Sequence, residues 1–353
     1  MRKTPAKKAL RTQEPLLPPP LRVSILALPE TSATAVYGLY EMLSSVGVLW
    51  QQVTGEAVAA RRIEARIVAR SRKPYRSAIG TPIAPHASFA EQGLADVIVV
   101  TDIALPLDPA APSRWGTEIG WVREHLEAGA QVCSACTGAI LLAEAGLLDG
   151  RDATSHWSAS ALFRDRYPAV RWRPERILCD GGFEGRLLTT GGASSWEDLA
   201  LHLVARHCGQ EEAVRLAKLF VLGDRSDGQL PFAVMARPRQ HEDAVVHASQ
   251  LWLADHYAQP NPVAQLVARS GLPERSFKRR FTNATGYAPV DYVQALRIEE
   301  AKQLLESGGE AIERVASSIG YEDPAFFRRL FKRLAGITPG QYRQRYRRRV
   351  EPR

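Results

Sequence analysis

Cys136 ends a short apolar run, Val132–Ala135, and is followed at once by Thr137, Gly138 and an Ala/Leu-rich stretch. A strand that turns sharply into a helix through a thiol is a nucleophile-elbow arrangement. Backbone dipoles at a helix N-terminus acidify a thiol, and His156 stands downstream as a proton partner. Taken alone, this pair points to a cysteine-dependent hydrolase, amidase or glyoxalase-like enzyme. The competing reading is structural, with Cys136 and Thr137 in a core turn and His156 hydrogen-bonded in place. Trp157 beside it has an indole face that attracts cations, although tryptophans more often simply pack. Cys133 and Cys136 have the spacing of a redox or zinc pair. Cys133 falls inside the strand and no second pair follows, so no zinc site is expected.

A second set of residues carries a different chemistry. Phe277, Arg279, Phe281, Gly286, Pro289 and Tyr292 recur fifty positions on as Phe327, Arg329, Phe331, Gly336, Pro339 and Tyr342. Gly271 is matched by Gly320 with one residue of slip. In each copy two phenylalanines four apart share one helix face. That leaves Arg275, Lys278, Arg279 and Arg280, with Ser276, in the first copy, and Arg328, Arg329, Lys332 and Arg333 in the second, on the rest of the surface. Helix, glycine turn and basic helix form a helix-turn-helix pattern, here written twice. Its guanidinium and ammonium groups can donate to guanine O6 and N7, so the repeat points to a grip on two successive segments of a duplex.

Both sets need elements to hold them. Residues 22–28, 62–69, 95–101, 131–135 and 185–192 read as strands. Helical spacing covers 33–46, 121–130, 137–147, 195–209 and 211–222, with Asp198 in the first turns of the fourth. Alternating strands and helices predict a flavodoxin-like, doubly wound α/β domain over residues 21–224. Gly, Pro and polar residues dominate the next stretch, so a linker is placed at 225–241. Residues 242–349 read as helices throughout, one of them long (290–307) and able to set the distance between the two copies. Pro273 and Glu274 open the first basic helix, and Asp323 caps the second with Pro324 just inside.

Composition agrees with this division. The 353 residues are 45% hydrophobic and 24% charged, with a net charge of +8. Residues 1–20 carry five basic groups and one acid (+4), residues 21–240 carry 23 and 24 (−1), and residues 241–353 carry 18 and 13 (+5). The basic excess thus sits in an N-terminal tail, read as disordered over 1–20, and in the helical part, as a polyanion partner requires. Four cysteines are too few for a disulfide scaffold, so a reducing cytoplasm is expected. No apolar run is long enough to cross a bilayer, and no secretory signal is visible.

At 242–345 the chain resembles the AraC/XylS family of bacterial transcription regulators. The resemblance rests on the doubled Arg, Phe, Gly-x-x-Pro, Tyr pattern and on GYEDPAFFRRLFKRLAGITPGQYR (320–343). It implies that helices near 274–284 and 323–333 enter successive major grooves of promoter DNA, about 34 Å apart. It carries base reading to Arg275, Ser276, Lys278 and Arg279, and to Pro324, Ala325, Arg328 and Arg329, of which Pro324 and Ala325 offer only apolar contacts. Over 22–222 the chain resembles the PfpI-type, class I glutamine amidotransferase-like domain of GlxA-like regulators. Cys136–Gly138, Leu142–Gly150, Thr154–Trp157 and 189–204 carry that likeness. Catalytic members place a Glu on the first helix. Here Ala35 stands in its place, with Glu30 and Glu41 off register. The resemblance therefore implies a regulator rather than an enzyme, without cofactor or metal. Its effector pocket would include Cys136, Thr137, His156 and Trp157, with Trp196 a further candidate. Homodimers, a small-molecule effector and contact with RNA polymerase are the partners it implies.

Overall fold

The computed structural model describes residues 18–56, 58, 61–104, 114–235 and 241–350, the last three without side chains. The basic tail as far as residue 17, linker residues 236–240 and the side chains of Arg348 and Arg349 lie outside the described residues. The chain forms two compact units: Met1–Ala135 with Phe183–Leu187 and Trp196–Gly223, and Cys136–Gly182 with Leu188–Ser195 and Asp224–Arg353.

The elements follow in chain order as β1 (Leu21–Leu26), α1 (Ala33–Ser44), α2 (Leu49–Thr54) and β2 (Ile63–Ala69). A small hairpin, β3 (Tyr75–Arg76) with β4 (Pro82–Ile83), precedes β5 (Ala87–Ser88), β6 (Val97–Val100), α3 (Gly116–Glu127) and β7 (Gln131–Ala135). A single 3-10 turn, Cys136–Gly138, leads into α4 (Ala139–Glu144). Then come β8 (Asp152–Ala153), α5 (Ser160–Arg166), β9 (Arg171–Trp172), β10 (Leu178–Asp180), β11 (Leu187–Thr190), α6 (Ser195–Cys208) and α7 (Gln210–Leu219). The main sheet has the order β10-β11-β7-β6-β1-β2-β5; β5, β2, β1, β6 and β7 pair in parallel, and β10 meets β11 antiparallel. Every residue of β6 and β7 is buried, as the continuous apolar runs require of central parallel strands. This is the expected doubly wound domain. The glycine at the middle of α1, Gly38, makes room for Trp196, whose ring a Cβ there would meet at 2.5 Å. Trp196 is therefore a packing residue.

The remaining helices are α8 (Ala244–His256), α9 (Pro262–Ser270), α10 (Glu274–Thr285), α11 (Pro289–Ser307), α12 (Ile312–Ser318), α13 (Pro324–Ala335) and α14 (Pro339–Val350). The repeat read from the sequence is a repeat in space. Phe277 and Phe281 lie 5.7 Å apart, and Tyr292 meets Phe281 edge-on at 5.4 Å and 80°. Phe327 and Phe331 also lie 5.7 Å apart, and Tyr342 meets Phe331 at 5.5 Å and 81°. All four phenylalanines are fully buried. Each copy has its own apolar core, and α11 serves both: Tyr292 and Val293 belong to the first, Ile298, Ala301 and Leu305 to the second.

One local expectation is corrected. Pro273 does not start the first basic helix. It sits outside it at the N-cap with extended backbone (φ −56°, ψ 140°), and Glu274 is the first helical residue. Asp323 does cap α13, accepting from the Ala325 amide at 2.7 Å, with Pro324 in the first turn.

Candidate nucleic-acid interface and cysteine elbow

Helices α10 and α13 each follow a left-handed glycine, Gly271 (φ +66°) and Gly320 (φ +85°). With their phenylalanines buried, the helices leave Arg275, Lys278 and Arg279, and Ala325, Arg328 and Arg329, exposed, while Ser276 and Pro324 are half-buried. The two surfaces are not equivalent. Arg275 and Arg279 make no hydrogen bond or ion pair with a described residue. Lys278 pairs with Glu274 one turn back at 2.5 Å, and its ammonium holds that carboxyl below the usual range. In the second copy Arg328 pairs with Glu313 of α12, and Arg329 lies 3.9 Å from Asp323. These pairs are exposed and readily exchanged for a phosphate or a base edge. The first helix thus presents unengaged guanidinium groups, and the second must give up carboxylates to do so.

Two residues missed by sequence reasoning hold this surface in place. Arg297 in α11 is only 8% exposed and has no carboxylate partner among the described residues; its guanidinium donates to the carbonyls of Tyr257, Gln259 and Gly320 at 2.7–2.9 Å. It also covers the ring of Tyr321 at 4.8 Å. The arginine thereby ties the turn of the second motif to the loop before the first. Its signal was present: Val293, Arg297, Ala301 and Leu305 follow one another at four-residue steps on one buried stripe.

Gln229 is the second. It lies in the expected linker yet is 1% exposed. Its side-chain nitrogen reaches the carbonyls of Ser155 and Arg176 at 2.9 Å and the Thr154 hydroxyl at 3.1 Å. Its side-chain oxygen accepts from the Trp157 amide at 3.1 Å. A Cβ on Gly191 would come within 2.0 Å of that side chain, so glycine is required there. Immediately beyond, Leu230 and Pro231 press on Gly336, the residue that ends α13, where a Cβ would meet them at 3.1 and 3.3 Å. The Ala233 carbonyl accepts from Lys302 at 2.6 Å and the Pro231 carbonyl from Tyr346 at 2.7 Å. Residues 224–235 are thus a docked strap, with one end seated among 154–176 and the other on α11, α13 and α14. The composition of the segment, rich in Gly and Pro, reads as loose because the bonds that dock it reach residues far off in the sequence.

The cysteine elbow is real in geometry. Cys136 follows β7 directly and holds a left-handed backbone (φ +54°), which costs a non-glycine residue about 1–2 kcal/mol. The residue is 8% exposed, and its thiol receives the Thr137 hydroxyl at 3.9 Å; its carbonyl accepts from the Ser155 hydroxyl at 2.9 Å. His156 is committed elsewhere. Its Nδ1 lies 2.6 Å from the Ser158 hydroxyl and accepts from the Ser158 amide at 3.3 Å, capping the short turn Trp157–Ala159. Burial lowers its pKa. The position of the missing acid, Ala35, is buried in α1. Nearby, Ser32 at the head of α1 donates to Asp102 rather than capping its own helix, and burial raises the pKa of Asp102. Burial also pushes the Cys179 and Cys208 thiols up to about 11. Among the described residues no group of three His, Cys, Asp or Glu is placed to hold a metal, and no helix is long and apolar enough to cross a membrane.

Comparison with known proteins agrees with both halves. Residues 40–206 match the DJ-1/PfpI family, and residues 266–345 match a helix-turn-helix domain. Over 260 residues the chain is 30% identical to the HTH-type transcriptional regulator CdhR of Pseudomonas aeruginosa, covering 70% of this chain and 72% of that one. It is 27% identical to the HTH-type transcriptional regulator GlxA of Rhizobium meliloti, covering 62% and 66%. An AraC family transcriptional regulator from Pseudomonas putida aligns at 19% identity and a TM-score of 0.44, over 57% of this chain and all of that one.

Proposed function

Since the chain belongs to the AraC-type HTH transcriptional regulators that carry a DJ-1/PfpI domain, we propose that it reads promoter DNA through α10 and α13 under control of a small metabolite. In this reading residues 21–224 form the sensing and dimerising part and 242–349 the DNA-binding part. The observation that carries it is the pair of matching aromatic cores, each backing an exposed basic helix behind a glycine turn. Arg275, Lys278 and Arg279 read bases, with Ser276 beside them. In the second helix Arg328 and Arg329 do so after leaving Glu313 and Asp323, while Pro324 and Ala325 supply apolar contact. The turn bearing Cys136 and Thr137 and the segment bearing His156 and Trp157, joined by the Ser155–Cys136 hydrogen bond, form the effector-responsive region, since Gln229 is seated on the second of them. Homodimers and contact with RNA polymerase belong to the same reading.

Mapping bound DNA across the genome, followed by titration of the recovered sites, tests this. Neutralising several phosphates makes affinity fall steeply with salt. Binding indifferent to salt, or no preference for recovered sites over random DNA, would overturn the reading.

The strained thiol favours one alternative, cysteine catalysis. His156 is spent on Ser158 and Ala35 replaces the acid, so neither of the two partners read from the sequence serves Cys136 as a base. Cys136→Ser is therefore expected to keep DNA binding and promoter control under reducing conditions. Turnover of an ester or amide by the purified protein that disappears in this variant would reverse the assignment.

A further inference from the structure

A cavity of about 490 Å³ opens beyond the carboxyl ends of β1 and β2. Ligands of open α/β sheets bind at that edge, and the size suits a small metabolite. Its wall includes Pro29, Glu30, Lys73, Tyr75, Trp115 and Glu118, with Arg70 and Arg114 at the rim. Cys136, His156 and Trp157 are not among its lining residues.

The hydrogen-bond accounting of this wall is incomplete at two atoms. Glu118 is satisfied, since Arg70 donates to both of its oxygens at 2.6 and 2.7 Å. Glu30 receives Arg114 on one oxygen at 2.7 Å, but its other oxygen is buried without a partner. The Trp115 side chain is 7% exposed, and its indole N–H is also buried without a partner. A buried polar atom left unpaired is costly, and native proteins leave few of them. One of these atoms needs a donor and the other an acceptor. The wall also carries three cations (Arg70, Lys73, Arg114) against two carboxylates (Glu30, Glu118), so it retains one positive charge. Both arginines are paired, whereas the Lys73 ammonium makes no ion pair with a described residue.

We propose that this cavity is the effector site and that it takes a small organic acid bearing an N–H donor, an amino-acid-like zwitterion. The carboxylate is drawn to Lys73 and to the indole N–H, and the nitrogen gives its hydrogen to the orphan oxygen of Glu30. Tyr75, Pro29 and Pro74 flank the apolar body. A fully N-methylated nitrogen has no hydrogen to give Glu30 and is disfavoured. This inference rests on the effector-controlled reading above and deepens it.

The test uses the full-length protein and calorimetric titration. The probes are the protein amino acids and straight-chain ω-amino acids of two to six carbons. Each binder is compared with the matching acid lacking nitrogen, the matching amine lacking the carboxylate, and the trimethylated analogue. Binding by at least one zwitterion is expected, with each comparison compound weaker by about tenfold or more. Lys73→Ala, Glu30→Gln and Trp115→Phe, which keeps the ring and removes the N–H, should each weaken it about tenfold while leaving DNA affinity without ligand unchanged. No binding by any probe, equal binding by the comparison compounds, or undiminished binding by all three variants would overturn the site. Promoter binding is read in parallel. A probe that alters DNA affinity equally in wild type and in all three variants leaves effector control standing and removes the site. A probe that binds here without altering DNA affinity keeps the site as a ligand site and removes its role as the effector's.

Discussion

Single side chains divide the DNA surface unequally. Arg279 is exposed and unengaged, so Arg279→Ala is expected to cost about 1–3 kcal/mol on the cognate duplex and far less on random DNA. Arg328 begins paired with Glu313, so Arg328→Ala should lose less, and Glu313→Gln should strengthen binding by freeing the guanidinium. Fluorescence anisotropy on the two duplexes measures all three, and equal losses for both arginines would contradict the asymmetry. His156 gives a pH-dependent signature. Its folded-state pKa is depressed by burial, so its contribution is intact above the unfolded value near 6.5 and is lost as the pH falls through the folded one. His86 and His207 are lowered by the same cause and add to the slope. His156→Asn retains a capping oxygen and removes the titration, so its melting temperature should fall less between about pH 7 and pH 5; a slope identical to wild type would contradict this. The readers and the elbow were visible in the sequence because both are local patterns. The engagement of His156 with Ser158 was not, since a histidine two residues before a serine has no distinctive spacing. The role of Gln229 was hidden for a different reason: its partners lie more than fifty positions away.

At the scale of elements, the two glycine turns look alike in sequence and differ in surroundings. A Cβ on Gly271 would meet nothing within 4 Å, whereas one on Gly320 would come within 2.1 Å of the Ala258 carbonyl. Gly271→Ala should therefore cost only the left-handed backbone strain, about 1–2 kcal/mol. Gly320→Ala adds a steric clash and should cost roughly 2–5 kcal/mol. Urea unfolding of the two variants gives the comparison, and similar midpoints would refute it. The longer helices and the long parallel strands were legible because their periods persist over several residues, whereas the short α2 and α5 were not read. The two-residue strands β3, β4, β5, β8 and β9 were not, since so short a run has no period. The antiparallel β10 was missed for the same reason, and the expected helix over 137–147 proved to be a 3-10 turn followed by only α4.

Across the molecule, the strap of residues 224–235 decides how far a disturbance travels. Gln229→Ala leaves the Trp157 amide without its acceptor, at about 1–3 kcal/mol for a buried group, and takes one donor from the carbonyls of Ser155 and Arg176. Faster hydrogen exchange is expected at Trp157, along 230–235 and at the end of α13, with α9 and α10 unchanged. Exchange that rises uniformly, or nowhere, would show that the strap is not a discrete connector. Its structure also bears on how such a protein can be rebuilt. A graft that joins these helices at residue 242 to a foreign sensor strips Leu230 and Pro231 from Gly336 and removes the Ala233 and Pro231 carbonyls that accept from Lys302 and Tyr346. A graft cut at 224 brings the strap along but strands Gln229, whose socket among Thr154, Ser155, Trp157 and Arg176 stays behind. No cut between 224 and 242 leaves both sides whole. A working chimera therefore has to transplant the socket as well as the plug.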